Sequence, residues 1–122
     1  MRISTTKRIQ VLDITDLVER EIAPGARGVI VYTPHTTAAI TINEYEPRLA
    51  RDMERFYGML AQGEWEHDLI DNNAYAHLLS SLIKPSVVIP VREGRLLLGT
   101  WQRVLFVELD GPRTRTIFIQ NL

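Results

Sequence analysis

The C-terminal third of the chain consists of short aliphatic and aromatic runs separated by turn-forming residues, and this pattern constrains the fold more than any other feature. Two of the connections are Glu93-Gly94 and Asp110-Gly111-Pro112, whose glycine and proline residues favour tight reversals of the chain. Tight reversals join antiparallel neighbours. The pattern therefore predicts strands of a mostly antiparallel sheet near residues 86–92, 95–98, 102–109 and 114–120.

The rest of the chain mixes strands with helices but lacks the regular alternation of β-α-β units. Strand-like segments cover residues 3–12, 27–33 and 38–43, and helical periodicity covers residues 14–22, about 47–62 and 74–83. We expect Asp13 or Thr15 to cap the first helix and Glu46 to cap the second. These elements predict a single α+β domain over residues 1–122, with helices layered on a mostly antiparallel sheet.

Gly99 and Trp101 interrupt two strand-like runs in the stretch LLLGTWQRVLFVELDG. A glycine inside a strand pattern usually marks a bulge, a bend or a close approach of another group. We expect Gly99 to bend the chain, Trp101 to be a large packing anchor, and Gln102 to be a candidate ligand contact.

Composition excludes several classes of protein. The formal net charge is −1, which argues against electrostatic binding of nucleic acid. The chain has no cysteine, so disulfides, thiolate metal sites and cysteine nucleophiles are excluded. No apolar run approaches membrane length, and the N-terminal residues do not resemble a signal peptide. We therefore expect a cytoplasmic protein that binds neither nucleic acid nor membranes.

The three histidines are the main candidates for chemistry. His35 follows a predicted strand, His67 precedes Asp68, and His77 shares a predicted helix face with Asn73 and with Ser81. Three imidazoles with a carboxylate could hold zinc and leave one position open for water. Their spacing matches no standard motif such as HExxH, so spacing alone favours separate, hydrogen-bonded histidines.

Acidic and basic residues near the ends of predicted strands allow two interpretations each. Glu108 and Asp110 alternate with apolar residues, so they could share a face that binds metal or performs acid–base chemistry, or they could lie on a solvated sheet face. Arg113 and Arg115 could hold phosphate or be ordinary exposed turn residues. Asn43 could orient a ligand or cap the next helix, and we leave it open.

Several motifs together resemble the YjbQ family, also called the secondary thiamine-phosphate synthase family. The segment SVVIPVREGRLLLGTWQRV, residues 86–104, is similar to its signature, and the segments PHTTAAITINE, HD…NAYAHL and DGPRTR are similar to its other motifs. All three histidines fall on family motif positions. The chain departs from the family in having Asp71-Asn72-Asn73-Ala74 for D-G-N-A, and Tyr45-Glu46-Pro47-Arg48 where an acidic D-P-D stretch is common.

The resemblance implies a compact α+β sandwich, with two to three helices packed on a mostly antiparallel mixed sheet, assembled as a homotrimer with a polar cleft near the subunit boundary. It also implies coupling of hydroxymethylpyrimidine diphosphate to thiazole phosphate, with release of pyrophosphate, as a side activity. The alternative is a non-catalytic protein that binds a metal or a small molecule.

The site residues follow from the resemblance. We expect His35, His67, His77 and Glu108 to act in catalysis. His35, His67, His77 and Asp68 are expected to hold a divalent ion, zinc or magnesium, with Glu108 as an alternative to Asp68. Contacts to a small phosphorylated substrate are expected from Thr36, Thr37, Asn43, Asn73, Ser81, Gln102 and Arg113.

Overall fold

The computed structural model describes all residues from Met1 to Leu122 and contains nine strands and three α-helices. The strands are β1 (Arg2–Ser4), β2 (Gln10–Asp13), β3 (Gly28–Tyr32), β4 (Ala38–Asn43), β5 (Ser86–Arg92), β6 (Arg95–Leu96), β7 (Arg103–Glu108), β8 (Thr114–Thr116) and β9 (Phe118–Asn121). The helices are α1 (Thr15–Arg20), α2 (Pro47–Leu60) and α3 (Ala74–Ile83), and a short 3₁₀ turn covers Glu66–Leu69.

All strand pairs are antiparallel, in three sheets with the orders β1-β8, β2-β7-β4 and β6-β5-β3-β9. The larger core lies between the two larger sheets and contains Val29 and Val31 of β3 together with Val104 and Phe106 of β7. The opposite face of the β2-β7-β4 sheet packs against α3 through a second cluster that includes Val107 and Leu79. This arrangement confirms the α+β sandwich with helices layered on antiparallel sheets.

The segment between residues 114 and 120 forms two strands, where the sequence predicts one. β8 pairs with β1, whereas β9 pairs with β3 in a different sheet. Ile117 lies between them, fully buried, and its backbone N–H and carbonyl both bond to Met1. The chain changes sheets at Ile117, so one continuous strand is not possible.

Two other predicted strands were too long. The segment 3–12 forms β1 and β2, separated by a loop in which the Gln10 side chain bonds to Thr6. The segment 95–98 is a strand only at Arg95–Leu96, because the chain then enters the Gly99 turn. In that turn the backbone N–H of Gly99 donates to Oε1 of Gln102 at 2.8 Å, which confirms the expected bend.

Trp101 is not a packing anchor within the chain, because it is 71% exposed at the tip of the same turn.

The helix predictions are closer to the structure. Glu46 caps α2 by accepting from the backbone N–H groups of Arg48 and Leu49. The prediction that Asp13 or Thr15 caps α1 was wrong, because the N-cap residue is Ile14 and makes no side-chain capping bond; Asp13, one residue earlier, accepts from the backbone N–H of Thr15. None of the helices combines the length and apolar character required to cross a membrane.

Candidate functional site

Three loops meet at one end of the β2-β7-β4 sheet and enclose a cleft of about 730 Å³. The β3–β4 loop, the segment leading into α3 with its first turn, and the β7–β8 turn each contribute one wall. We call this the polar cleft, and it is lined by Pro34, His35, Thr36, Thr37, Asp71, Asn73, His77, Asp110, Pro112, Arg113, Thr114 and Arg115. The walls meet because Ala38 of β4 pairs with Glu108 of β7, so the loops adjoining these two residues lie side by side.

An ion pair between Glu108 and Arg115, with 0% and 3% exposure, lies beneath the polar cleft, and only Arg115 of the two lines it. Nε and a terminal nitrogen of Arg115 both donate to the Glu108 carboxylate. The same carboxylate accepts from the Thr5 hydroxyl at 2.7 Å and from the Asp110 backbone N–H at 3.1 Å. Arg115 also donates to the hydroxyl of Thr37, at 2.9 Å. The pair thus joins β7, β8, the β1–β2 loop and the cleft wall.

The contacts of Glu108 favour its ionised form. Burial alone would raise the pKa of Glu108, but hydrogen bonds from Arg115, Thr5 and the Asp110 backbone outweigh it, and the pKa lies below its usual value. Glu108 is therefore an internal counter-charge for Arg115. It does not lie on a solvated sheet face, which was one of the two interpretations of the sequence pattern. Asp110 lies beyond the end of β7 rather than on it.

His35 is fixed at the cleft wall as a neutral ring. Its Nε2 accepts from the backbone N–H of Thr116 at 2.9 Å, so the ring proton lies on Nδ1. Burial lowers the pKa of His35, and the nearby positive charges of Arg115 and Arg113 lower it further against the opposing charge of Glu108. His35 thus contributes one N–H donor at neutral pH.

The other two histidines form a contacting pair. The rings of His67 and His77 lie edge to face, with centroids 4.8 Å apart. His77 lines the polar cleft together with His35, whereas His67 does not line it. Asp68 accepts from the backbone N–H of Ala74 at 3.0 Å, at the start of α3. No three His, Asp or Glu side chains of the chain are arranged to hold a common metal ion.

An amide–carboxylate–guanidinium chain crosses the cleft. Asn73 donates from Nδ2 to Oδ2 of Asp110 at 2.9 Å, and Arg113 donates to the same oxygen at 3.1 Å. The Asn73 Oδ1 atom is buried and has no hydrogen-bond partner. It is the one buried side-chain nitrogen or oxygen of the chain without a partner, although such atoms are normally paired.

Three of the predicted substrate contacts lie outside the polar cleft. Asn43 is at the far end of β4, where its side chain accepts from the Glu44 backbone N–H. Gln102 folds onto Gly99 in the β6–β7 connection. Ser81 lies near the cleft rather than in it, in an adjoining depression of about 400 Å³ that also contains His35 and His77. The hydrogen bond from the Ser81 hydroxyl goes to the Leu78 carbonyl.

Two groups that build the site have no local signal in the sequence. Thr5 bonds to Glu108 across 103 positions of sequence, and the Thr116 backbone bonds to His35 across 81 positions. No local pattern indicates such distant contacts. Asp71 also lines the cleft, although its sequence context marked it only as part of the Asp71-Asn72-Asn73-Ala74 departure from the family pattern.

Comparison with known proteins gives a consistent result over the full length. A family model described as UPF0047 protein YjbQ-like matches residues 1–122. A UPF0047 protein of Archaeoglobus fulgidus is 48% identical, covering 100% of this chain and 98% of the relative. UPF0047 protein YugU of Bacillus subtilis is 43% identical, with 100% and 96% covered.

Solved structures show the same fold. The crystal structure of a hypothetical protein from Aeropyrum pernix K1 superposes with a TM-score of 0.95 at 50% identity, covering 100% of this chain and 95% of that one. A YbjQ-like protein of unknown function from Sulfolobus solfataricus gives a TM-score of 0.89 at 38% identity, with 99% and 92% covered.

Proposed function

The chain belongs to the UPF0047 protein YjbQ-like family, and from that premise we propose that the polar cleft binds small phosphorylated molecules. We further propose that it couples hydroxymethylpyrimidine diphosphate to thiazole phosphate, releasing pyrophosphate, as a side activity of this cleft. The observation that most supports the proposal is the lining of the cleft, which has no hydrophobic residue and includes His35, His77, Arg113 and Arg115. Asp71 and Asp110 add carboxylates to the same lining, which suits a hydrated polar ligand better than an apolar one.

Phosphate groups would be anchored by Arg113 and the wall threonines. The Arg113 side chain is half-exposed, and its two internal bonds both go to Asp110. A guanidinium has five N–H donors, so several remain for phosphate oxygens. Thr36 is exposed at the cleft wall and Thr37 is fixed by Arg115, so their hydroxyls present further donors.

In the proposed coupling, the group that most needs stabilisation by the protein is the leaving pyrophosphate. The thiazole nitrogen lone pair forms a bond to the methylene carbon of the pyrimidine while the bond from that carbon to the diphosphate oxygen breaks. The electron pair leaves with pyrophosphate, and the nitrogen becomes quaternary without losing a proton. The protein must therefore stabilise negative charge on pyrophosphate, for which Arg113 and the N–H of His35 are the available groups.

The binding of a divalent ion remains a prediction. His67 and His77 are the only expected metal ligands whose rings contact each other, and this chain does not assemble a third ligand with them. A bound ion would neutralise phosphate charge. The residues of a single chain do not fit the expected site of His35, His67, His77 and Asp68, so we assign no reaction step to a metal.

A non-catalytic binding protein is the second candidate. The observation in its favour is that Glu108 and Asp110 are already paired with Arg115 and Arg113. The ring nitrogens of His35 and His77 and the carboxylate of Asp71 then remain in the cleft to move a proton. A binding function needs no such group.

We also propose a homotrimer. In the single chain, Trp101 is exposed, and the rings of Tyr32 and Phe118 stack on each other on the outer face of β3 and β9. Contact with further copies of the chain would bury these side chains. Light scattering coupled to size exclusion measures the mass directly, and a monomer at micromolar concentration would contradict the proposal.

The function is tested by incubating the purified protein with both phosphorylated substrates, with and without a chelator. We expect thiamine phosphate and pyrophosphate in equal amounts, with at least a tenfold lower rate for His77→Gln and an unchanged rate for Arg51→Gln on the exposed side of α2. Saturable binding of both substrates without any product, at every divalent ion tried, would support the binding protein and contradict the enzyme.

A further inference from the structure

A second cavity, of about 410 Å³, lies between the C-terminal end of α2 and the start of α3. It shares no lining residue with the polar cleft. We call it the α2–α3 pocket and define it by Arg8, Gly58, Gly63, Trp65, Asp68 and Tyr75. Its volume is within the range of small-molecule sites. An inference about this pocket does not depend on the function proposed for the polar cleft.

One wall of the α2–α3 pocket is the indole ring of Trp65, held in a defined position. Its N–H donates to the carbonyl of Ala61 at 3.0 Å, just after the end of α2. A Cβ atom at Gly63 would lie 3.1 Å from two carbons of the indole ring, so glycine allows the ring to fold onto the backbone there. Trp65 remains 42% exposed, which leaves part of its surface available to a ligand.

Gly58 has no side chain, which leaves the pocket open. The surrounding atoms would also accommodate a Cβ atom at this position. Gly58 lies inside α2, where glycine weakens a helix relative to alanine. A Cβ atom at Gly58 would make only an ordinary contact, 3.6 Å from Cδ1 of Ile9. Any larger side chain there would occupy the space between Ile9 and the end of α2.

The pocket also contains a fixed cation. The guanidinium of Arg8 lies over the ring of Tyr75, 4.9 Å from its centroid. Its Nε donates to the Tyr75 hydroxyl at 2.7 Å, and a terminal nitrogen donates to the Asn72 carbonyl at 2.8 Å. Two of its five N–H donors are therefore used, and the remaining donors are available to a ligand.

Asp68 provides the complementary acceptor. Its Oδ1 accepts from the backbone N–H of Ala74, and its Oδ2 has no hydrogen-bond partner in the chain. Asp68 and Arg8 both line the α2–α3 pocket, so it contains one carboxylate and one guanidinium. A ligand with a net charge of either sign would meet a like charge in the pocket, whereas a neutral ligand with one donor and one acceptor matches both groups.

We propose that the α2–α3 pocket binds a neutral, planar amino-heteroaromatic molecule. The ring lies against the indole of Trp65, a ring nitrogen accepts from Arg8, and the adjacent amino group donates to Asp68. Flat aromatic walls stabilise such a ring by stacking, and the hydrogen-bond pair fixes its orientation.

The probe is 2-aminopyrimidine, a neutral ring with adjacent acceptor and donor groups, titrated against the full-length protein. The chain has two tryptophans, so Trp101→Phe leaves Trp65 as the only source of an indole N–H signal in a nitrogen–proton NMR spectrum. We expect a saturable shift of the Trp65 signal with 2-aminopyrimidine. Pyrimidine, which lacks the amino group, and the charged rings benzoate and benzamidine are expected to bind at least tenfold more weakly.

Two variants locate the binding. Gly58→Leu fills the pocket and should weaken 2-aminopyrimidine at least tenfold, while Asp52→Leu adds the same side chain on another face of α2 and should leave the affinity unchanged. Asp68→Asn retains an oxygen that can cap α3 but removes the charge, and should weaken binding about tenfold. If Gly58→Leu does not fold, Gly58→Ala replaces it and should weaken binding measurably.

Three outcomes overturn the proposal. The first is an absence of any saturable shift with 2-aminopyrimidine. The second is equal affinity for pyrimidine or for either charged ring. The third is unchanged affinity in a folded Gly58→Leu variant.

Discussion

The carboxylate of Glu108 and the guanidinium of Arg115 form an ion pair beneath the polar cleft, with almost no solvent exposure. The Glu108 carboxylate accepts from Thr5 and from the backbone of Asp110 as well as from Arg115. Arg115 in turn holds the hydroxyl and carbonyl of Thr37. The position of the cleft walls therefore depends on this buried pair of charges.

Glu108→Gln should destabilise the protein by about 3–5 kcal/mol, because it leaves the buried charge of Arg115 without its partner. Urea unfolding at pH 7 measures the change, and Glu66→Gln in the exposed 3₁₀ turn is the matched control. The double variant Glu108→Gln with Arg115→Gln should lose less than the sum of the single variants. A loss below about 1 kcal/mol for Glu108→Gln would contradict this description of the pair.

The same pair should make stability depend on pH below the usual titration range of glutamate. The pKa of Glu108 is lowered from its ordinary value of 4.5, so the unfolded chain binds the proton more readily than the folded one. The stability that Glu108 contributes is fully present above pH 4.5 and is lost as the pH falls through the folded pKa. Urea midpoints measured between pH 6 and 3 should fall more steeply for the wild type than for Glu108→Gln. Parallel curves would contradict the prediction.

Local signals were sufficient to predict most elements of this fold. The predicted helix over residues 74–83 coincides with α3, because apolar periodicity and Pro85 define it without help from distant residues. The cap of α2 by Glu46 is equally local. By contrast, the change of sheet at Ile117 depends on pairing with Met1, at the other end of the chain.

The candidate site was predictable only in part. The β3–β4 loop, the start of α3 and the β7–β8 turn were all identified by their polar residues, and His35, Asn73 and Arg113 do line one cleft. Asn43 ends β4 and Gln102 precedes β7, both at the end of the sheet opposite the cleft. Spacing along the sequence does not show at which end of a sheet a residue lies. The burial of Glu108 was also hidden, because an alternating strand gives no indication that a loop will cover its polar face.

His35 should titrate below its ordinary value of 6.5, because burial and the nearby arginines disfavour its charged form. In the range between the folded pKa and 6.5 the unfolded chain binds more protons, so acidification through this range should reduce stability. Histidine signals followed by proton NMR give the folded pKa, and the same signals in concentrated urea give the reference. A His35 signal that titrates at or above its value in urea would contradict the prediction.

Gly111→Ala should be strongly destabilising, because the β7–β8 turn packs directly on the β1–β2 loop. An added Cβ atom would clash with the Lys7 carbonyl oxygen and would lie 2.8 Å from both Cγ of Glu108 and the Thr5 hydroxyl. Overpacking of this kind costs about 1–3 kcal/mol or more. Gly99→Ala is the matched control, since its nearest new contact would be 3.4 Å from the flexible side chain of Gln102. Equal urea midpoints for the two variants would contradict the close approach.

Arg113 should be the principal anchor for inorganic phosphate in the polar cleft. Arg113 is the more exposed of the two cleft arginines, because Arg115 is buried against Glu108. Removing a charge-assisted hydrogen bond costs about 1.5–3 kcal/mol, so Arg113→Gln should weaken phosphate binding about tenfold or more. Arg113→Lys keeps the charge but not the planar fork, and should recover only part of the affinity.

Isothermal titration of phosphate into the wild type and the Arg113 variants measures these affinities, with Arg51→Gln on exposed α2 as the charge-matched control. Since Arg113 also bonds to Asp110, the glutamine variant removes the positive charge beside that carboxylate, which keeps its bond from Asn73. Repulsion by this carboxylate adds to the loss, so Arg113→Gln combined with Asp110→Asn should bind phosphate more tightly than Arg113→Gln alone. Equal phosphate affinity in the wild type and Arg113→Gln would exclude Arg113 as the anchor and would remove the main support for a phosphate site in this cleft.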